Sequence, residues 1–298
     1  MTAGPDAVPS VSAVIPTRGS RPDVLPLTIQ RLSAEACVTQ IIVVGEPATC
    51  RSPAGAGHPA VSVVEAPGRG PNSSRQAGLD AATAEVVLFL DDDVLPDPRL
   101  ATGHAAHHAR AENLVVVGYM PVVRGEAGYD TATGQLYALE YERRVKRYEA
   151  DPDSILTNLW GGNVSLRCGD ARRVGVENEA HPGRRHEVQD FGLRCAAAGL
   201  VGLFDRDLRA THHYRRSRRA FLDDAWAQGY ERTLLRQNQP RSEWFVRGSP
   251  GDEQGGGVPV REAALRTAEI ASLKAARRLQ LWRGSRRAHH DINQQGHA

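Results

Sequence analysis

Four short runs of β-branched and aliphatic residues punctuate the first 95 positions, each divided from the next by helical or Gly/Pro-rich sequence. Val11–Ile15 (VSAVI), Gln40–Val44 (QIIVV), Ala60–Val64 (AVSVV) and Glu85–Leu90 (EVVLFL) read as strands. Runs with so little polar alternation belong to strands covered on both faces. Helical sequence occupies roughly 22–35 and 73–84, and turn-rich sequence 47–58 and 67–72. Strands that alternate with helices imply an α/β fold, because parallel pairing needs a crossover and helices supply it. Ligands of such sheets bind at the carboxyl ends of the strands. The fourth run ends directly on Asp91-Asp92-Asp93.

The second half is less regular. Helices are expected over 98–111, 135–149, 187–198 and 221–236, with Gly199 placed to end the third in a left-handed turn. Strands are expected at 114–118 and 164–167, with separate candidates at 200–204 and 208–214; Trp160–Asn163 reads as a turn. A Gly-rich linker (251–257) divides residues 1–250 from a basic helical extension over 258–298. Its helix, about 260–282, has a basic end (Arg277, Arg278, Arg283, Arg286 and Arg287), and its apolar stripe is loose. Peripheral contact with a membrane is compatible with that tail, but a solvated charged face is the simpler expectation.

Several function classes drop out on composition. The chain has 298 residues, of which 41% are hydrophobic and 24% charged, the balance of a folded globular protein. A net charge of +2 gives no case for nucleic acid as a partner. The apolar runs hold about five residues, far from the ~20 that cross a bilayer. Met1–Ser10 shows no charged-then-apolar export pattern, so a cytoplasmic location is expected. Cys37, Cys50, Cys168 and Cys195 form no Cys-x-x-Cys pair and read as reduced thiols.

Three neighbouring carboxylates repel one another unless positive charge sits among them. Oxygen donors favour Mg²⁺ or Mn²⁺, which complete their shells with water and substrate phosphates. The cluster therefore points to diphosphate chemistry; an acidic turn ahead of Asp97-Pro98 is the bland alternative. If the strand pattern continued, Asp91 and Asp93 would share a face.

The cluster stands in an ordered series: Val14–Arg18 (VIPTR), Ile41–Val44, Asn72–Leu79 (NSSRQAGL), Leu88–Asp93 (LFLDDD), Trp160–Arg167 (WGGNVSLR), Asp190–Gly199 and His212–Ser217. Taken together, over about residues 11–235, this series resembles glycosyltransferase family 2. The resemblance implies a GT-A-type fold, with a mostly parallel nucleotide-binding sheet flanked by helices. It puts the nucleotide-binding half at about 11–95 and the acceptor half at about 96–235. It further implies transfer of a sugar from a nucleoside-diphosphate donor, a UDP-sugar foremost, to an acceptor hydroxyl, with inversion and with Mn²⁺ or Mg²⁺. Pro16, Thr17, Arg18, Glu46, Arg75, Asp91 and Asp92 would then meet the nucleotide sugar. Asp93 and Asp91 would bind metal together with His213 or His212, and Trp160 and Asn163 would face the acceptor. Gly45 stands where the family often has a first acidic residue, leaving Glu46 as the only carboxylate there.

The general base is where the match is poorest. In Glu187-Val188-Gln189-Asp190, Val188 occupies the place where the family usually has its base, leaving Asp190 and Glu187 as candidates. On a helix those two are three apart and can face one cleft, while a helix-start carboxylate without catalytic duty is the competing reading. Retention on the same fold, or a nucleotide-sugar-binding protein without turnover, are the alternatives that Val188 and Gly45 raise. A zinc-protease reading of His186-Glu187 fails for want of a second histidine. A nucleotidyltransferase would need a glycine-rich phosphate loop, and Thr17–Ser20 is too poor in glycine.

Overall fold

In this computed structural model, residues 8–46, 59–68, 70–123, 131–178, 187–238 and 264–295 are described. The expected loop at 47–58 and linker at 251–257, together with Cys50 and His186, lie outside them. Eight strands form one sheet: β1 (Val11–Pro16), β2 (Val38–Gly45), β3 (Ala60–Glu65), β4 (Val86–Leu90), β5 (Val94–Pro96), β6 (Leu114–Tyr119), β7 (Asn163–Arg167) and β8 (Val201–His212). Their order is β3-β2-β1-β4-β7-β6-β8-β5. Pairing is parallel throughout β3-β2-β1-β4 and again between β6 and β8. It is antiparallel where β7 enters between β4 and β6, and where β5 meets β8. The parallel half is the part with alternating helices, as the crossover argument requires.

The helices are α1 (Leu25–Ser33), α2 (Pro71–Ala81), α3 (Leu100–Arg110), α4 (Ala132–Ala150), α5 (Ser154–Thr157), α6 (Cys168–Val174), α7 (Glu187–Ala197), α8 (Arg218–Asn238) and α9 (Ala264–Gln295). Every residue of β4 is buried, as are the first five of β1. Burying each such Val, Leu or Ile contributes about 1.5–3 kcal/mol, which is why these uninterrupted apolar runs become central strands. Gly199 ends α7 at φ +81°, as expected. The two strand candidates after it are one strand, β8, with a register break opposite Gly118 and Tyr119 where Asp205–Asp207 interrupt the apolar pattern. No helix among the described residues is long and apolar enough to cross a membrane. Cys37, Cys168 and Cys195 carry free thiols.

The chain divides into two compact units. The first comprises Met1–Val123, Glu142–Pro182 and Glu187–His213 and holds the whole sheet. The second comprises Arg124–Tyr141, Gly183–His186 and Tyr214–Ala298. In it α8 and α9 pack together: Tyr230 Oη donates to Asp291 at 3.1 Å and Thr233 and Ser285 share a hydroxyl bond; Arg277 of α9 also pairs with Glu140 of α4 at 2.7 Å. The basic extension is thus an integral helix of that unit.

A buried polar chain ties α3 to the antiparallel strands. Asn163 and Ser165, two apart on β7, face α3. Asn163 Nδ2 donates to the Leu208 carbonyl, so its Oδ1 must accept from His104 Nε2, at 2.9 Å. His104 Nδ1 then accepts from Ser165, whose oxygen accepts from His108 Nε2, both at 2.8 Å. Burial, with cationic neighbours, pushes His104 down to about 3 and His108 to about 4. Both are therefore neutral in the fold, whereas the unfolded chain takes up protons below about pH 6.5. Their folded values lie below the unfolded ones, so stability is complete above pH 6.5 and falls as pH drops from there toward 4. Each histidine should cost about 1.4 kcal/mol per pH unit in that window. Thermal unfolding between pH 7 and 5 should show this slope, and the His104→Gln/His108→Gln double variant should flatten it.

Candidate active site

The aspartate run does not continue β4. Val94 N–H donates to the Asp91 carbonyl at 3.2 Å, closing a turn, and β5 starts at once. The extended-strand geometry expected to set Asp91 and Asp93 on one face is therefore absent, although both carboxylates act on His212. Each carboxylate of the run meets a different partner. Asp91 accepts from Arg75 Nη2 at 2.7 Å, Asp92 from Thr17 Oγ1 at 2.6 Å, and Asp93 Oδ2 from Arg21 Nη2 at 3.1 Å. The other oxygen of Asp93 lies 3.2 Å from His212 Nε2. The positive charge that the cluster demands is supplied by Arg75 and Arg21, with the His212 imidazole beside Asp93.

β5 is the element that brings His212 here. Val94 pairs with His212 in the β5–β8 register, so the end of β8 runs beside the aspartates. His213 meets Asp93 through its backbone, N–H to carbonyl at 2.7 Å, and His212 is the histidine whose ring reaches the carboxylate. Burial opposes protonation of His212, but Asp93 and then Asp91 outweigh it and hold the imidazole above its usual range. Burial, with Asp93 and Asp91 alongside, raises Asp92 in spite of the Thr17 hydrogen bond.

Arg75 is buried, 7% of its side chain exposed, with Nη1 on Asn72 Oδ1 at 3.0 Å. It is neither a surface arginine nor an open fork: both terminal nitrogens are committed, and among the described residues no acceptor reaches its buried Nε. Gly162 lets Asp91 lie close; a Cβ there would stand 2.6 Å from Asp91 Oδ2. The remaining nucleotide-side residues share the carboxyl edge of the parallel strands. Pro16 is half-buried at the end of β1, Thr17 is buried, and Arg18 and Glu46 are exposed.

The acid/base candidates both have structural partners. Glu187 Oε2 accepts the Asn72 N–H at 2.9 Å in the first turn of α2, where a carboxylate is favoured by the helix dipole. Gly70, at φ +146°, leaves room for it, since a Cβ there would stand 2.5 Å from Glu187 Oε1. Asp190, 2% exposed, accepts from Arg194 Nε at 2.9 Å and Asn178 Nδ2 at 3.1 Å. Arg194 also donates to the carbonyls of Val174, Gly175 and Val176. Val188 packs over Gly161, which adjoins the Arg75 guanidinium. Trp160 is half-buried under Arg144, 4.6 Å from the ring centre. The expectation for Asn163 needs correction: it is fully buried and its amide is spent on His104 and Leu208, so it faces no acceptor. Arg21 was missed because it lies in the β1–α1 loop, where no pattern marks it; a cation a few residues past β1 was the only signal.

Among the described residues no three His, Cys, Asp or Glu side chains form a metal cage. The Asp93–His212 pair still fits a divalent cation that keeps most of its shell for water and phosphate. The arrangement suits neutralisation of a diphosphate at the carboxyl edge of a parallel sheet.

Among solved structures, the fold is similar to the mannosyltransferase PcManGT from Pyrobaculum calidifontis in complex with GDP-Man and Mn²⁺. That match has TM-score 0.55 and 13% identity over 99% of this chain and 77% of that one. It is also similar to S. aureus TarS 1–349 in complex with UDP-GlcNAc, with TM-score 0.52 and 15% identity over 80% and 72%. At such identities the likeness shows the fold alone. No curated protein matches the sequence significantly. The family model described as "Glycosyl transferase family 2" matches residues 12–174, more than half of the chain. With the GT-A fold in place, the chain belongs to glycosyltransferase family 2.

Proposed function

We propose that this glycosyltransferase moves a sugar from a nucleoside-diphosphate donor, a UDP-sugar foremost, to an acceptor hydroxyl with the help of Mn²⁺ or Mg²⁺. The observation that carries the reading is Asp93 joined to His212 at the carboxyl end of β4, beside Asp91 fixed by buried Arg75. PcManGT with GDP-Man and Mn²⁺, and TarS with UDP-GlcNAc, support a nucleotide sugar at this edge. When bound, the cation supplies positive charge against the leaving diphosphate. Asp93 would hold it, and His212 would join once its ring gives up the proton that Asp93 favours; Arg75 keeps Asp91 in place, and Thr17 steadies Asp92. Pro16, Arg18 and Glu46 line the nucleotide side, and Trp160 offers an aromatic face to the acceptor.

Inversion requires Asp190 or Glu187 to leave its present partner and reach the acceptor hydroxyl, about 2.6–3.2 Å away. Retention is the second reading, favoured because both carboxylates are engaged and the residue between them, Val188, is apolar. A screen of UDP- and GDP-sugars with and without Mn²⁺ tests the proposal, with NMR of the product's anomeric proton reporting the stereochemistry. Metal-dependent consumption of one donor is expected. Tight binding of every tested donor with turnover of none would show a binding protein instead.

A further inference from the structure

Both oxygens of Asp93 are taken, one by His212 and the other by Arg21. The Arg21 backbone is held where α1 begins: its carbonyl accepts the N–H groups of Val24 and Leu25, at 3.3 and 3.1 Å. The Arg21 side chain is 14% exposed. A divalent cation bound to Asp93 would displace this guanidinium twice over, by taking its carboxylate and by repelling its charge. A diphosphate arriving on the same cation offers the nearest replacement, since phosphate oxygens match the guanidinium fork.

Resting on the nucleotide-sugar reading above, we propose that Arg21 is an exchangeable counter-ion. It neutralises Asp93 in the nucleotide-free enzyme and transfers to the donor diphosphate when metal and nucleotide bind. The swap keeps the acidic run compensated in both states, and it makes metal binding without nucleotide unfavourable. Metal and donor are thereby coupled.

The consequence is a pair of effects with opposite signs. Arg21→Ala should bind Mn²⁺ about tenfold tighter than wild type without nucleotide, because a competing cation is gone. The same variant should bind UDP or GDP about tenfold more weakly when Mn²⁺ is present, because a phosphate partner is gone. Electron paramagnetic resonance of free Mn²⁺ reads the first and isothermal titration the second. Arg21→Gln should repeat both effects, and circular dichroism confirms that each variant is folded. If either variant holds Mn²⁺ no tighter than wild type, or nucleotide no more weakly, the exchange is wrong and Arg21 only braces Asp93. If wild type binds neither Mn²⁺ nor either nucleotide, the donor reading falls and the exchange with it.

Discussion

Replacing Asp93 with alanine is expected to lower kcat/KM by at least about 10²–10³, the scale for losing one preorganised group that acts on transition-state charge. It should also abolish the stimulation of donor binding by Mn²⁺. The physical reason is the position of this carboxylate between His212 at 3.2 Å and Arg21 at 3.1 Å. Removing it takes away the carboxylate that both the imidazole and the Arg21 guanidinium face, and with it the negative charge that favours a cation there. Asp93→Asn separates charge from shape. If charge attracts the cation, asparagine should be nearly as damaging as alanine; if the carboxylate only spaces Arg21 from His212, asparagine should be mild. Steady-state kinetics over a range of Mn²⁺ concentrations, beside nucleotide titrations with and without metal, read both effects. Asp91→Ala is a useful contrast, because it strands the buried guanidinium of Arg75 and should cost stability as well as activity.

How much of this was visible in the residues follows from what each segment does with its side chains. β1, β2 and β4 are legible because a strand covered on both faces has no place for polar residues, so VSAVI, QIIVV and EVVLFL admit few other readings. β5 is not legible: three residues show no period, and their strand character comes wholly from pairing with β8. That pairing decides that His212, and not its neighbour, turns its ring to Asp93, which alternation along a strand leaves open. The break at Asp205–Asp207 is real in the sequence, yet the structure absorbs it as a register shift in one strand, with Asp205 paired to His107 at 2.7 Å. Asn163 shows the opposite failure. An asparagine after two glycines reads as a site residue, but its amide completes a chain from α3 to β8 that only the packed structure reveals.

Asp190→Asn is expected to destabilise the fold by about 3–5 kcal/mol, as breaking a buried ion pair from one side does. Asp190 is 2% exposed, and its partner Arg194 fastens the carbonyls of Val174, Gly175 and Val176 at the end of α6. Without the carboxylate, that guanidinium keeps its carbonyl contacts but loses its counter-charge, and the segment leading to Asn178 loses its tie to α7. Urea unfolding measures the loss, and an Asp190→Leu/Arg194→Leu pair should recover part of it by removing the stranded charge. The same variant bears on chemistry, provided activity is counted per folded molecule. A general base contributes about 10²–10⁴ in rate. If Asp190→Asn loses that much while still folded at low temperature, the carboxylate must leave Arg194 during the cycle, and inversion gains its base. If the folded fraction keeps most of its activity, Asp190 belongs to the scaffold. Glu187 is then the remaining acidic candidate of that helix turn. Because Glu187 now binds the first turn of α2, a catalytic role for it would couple acceptor activation to the helix that carries Arg75.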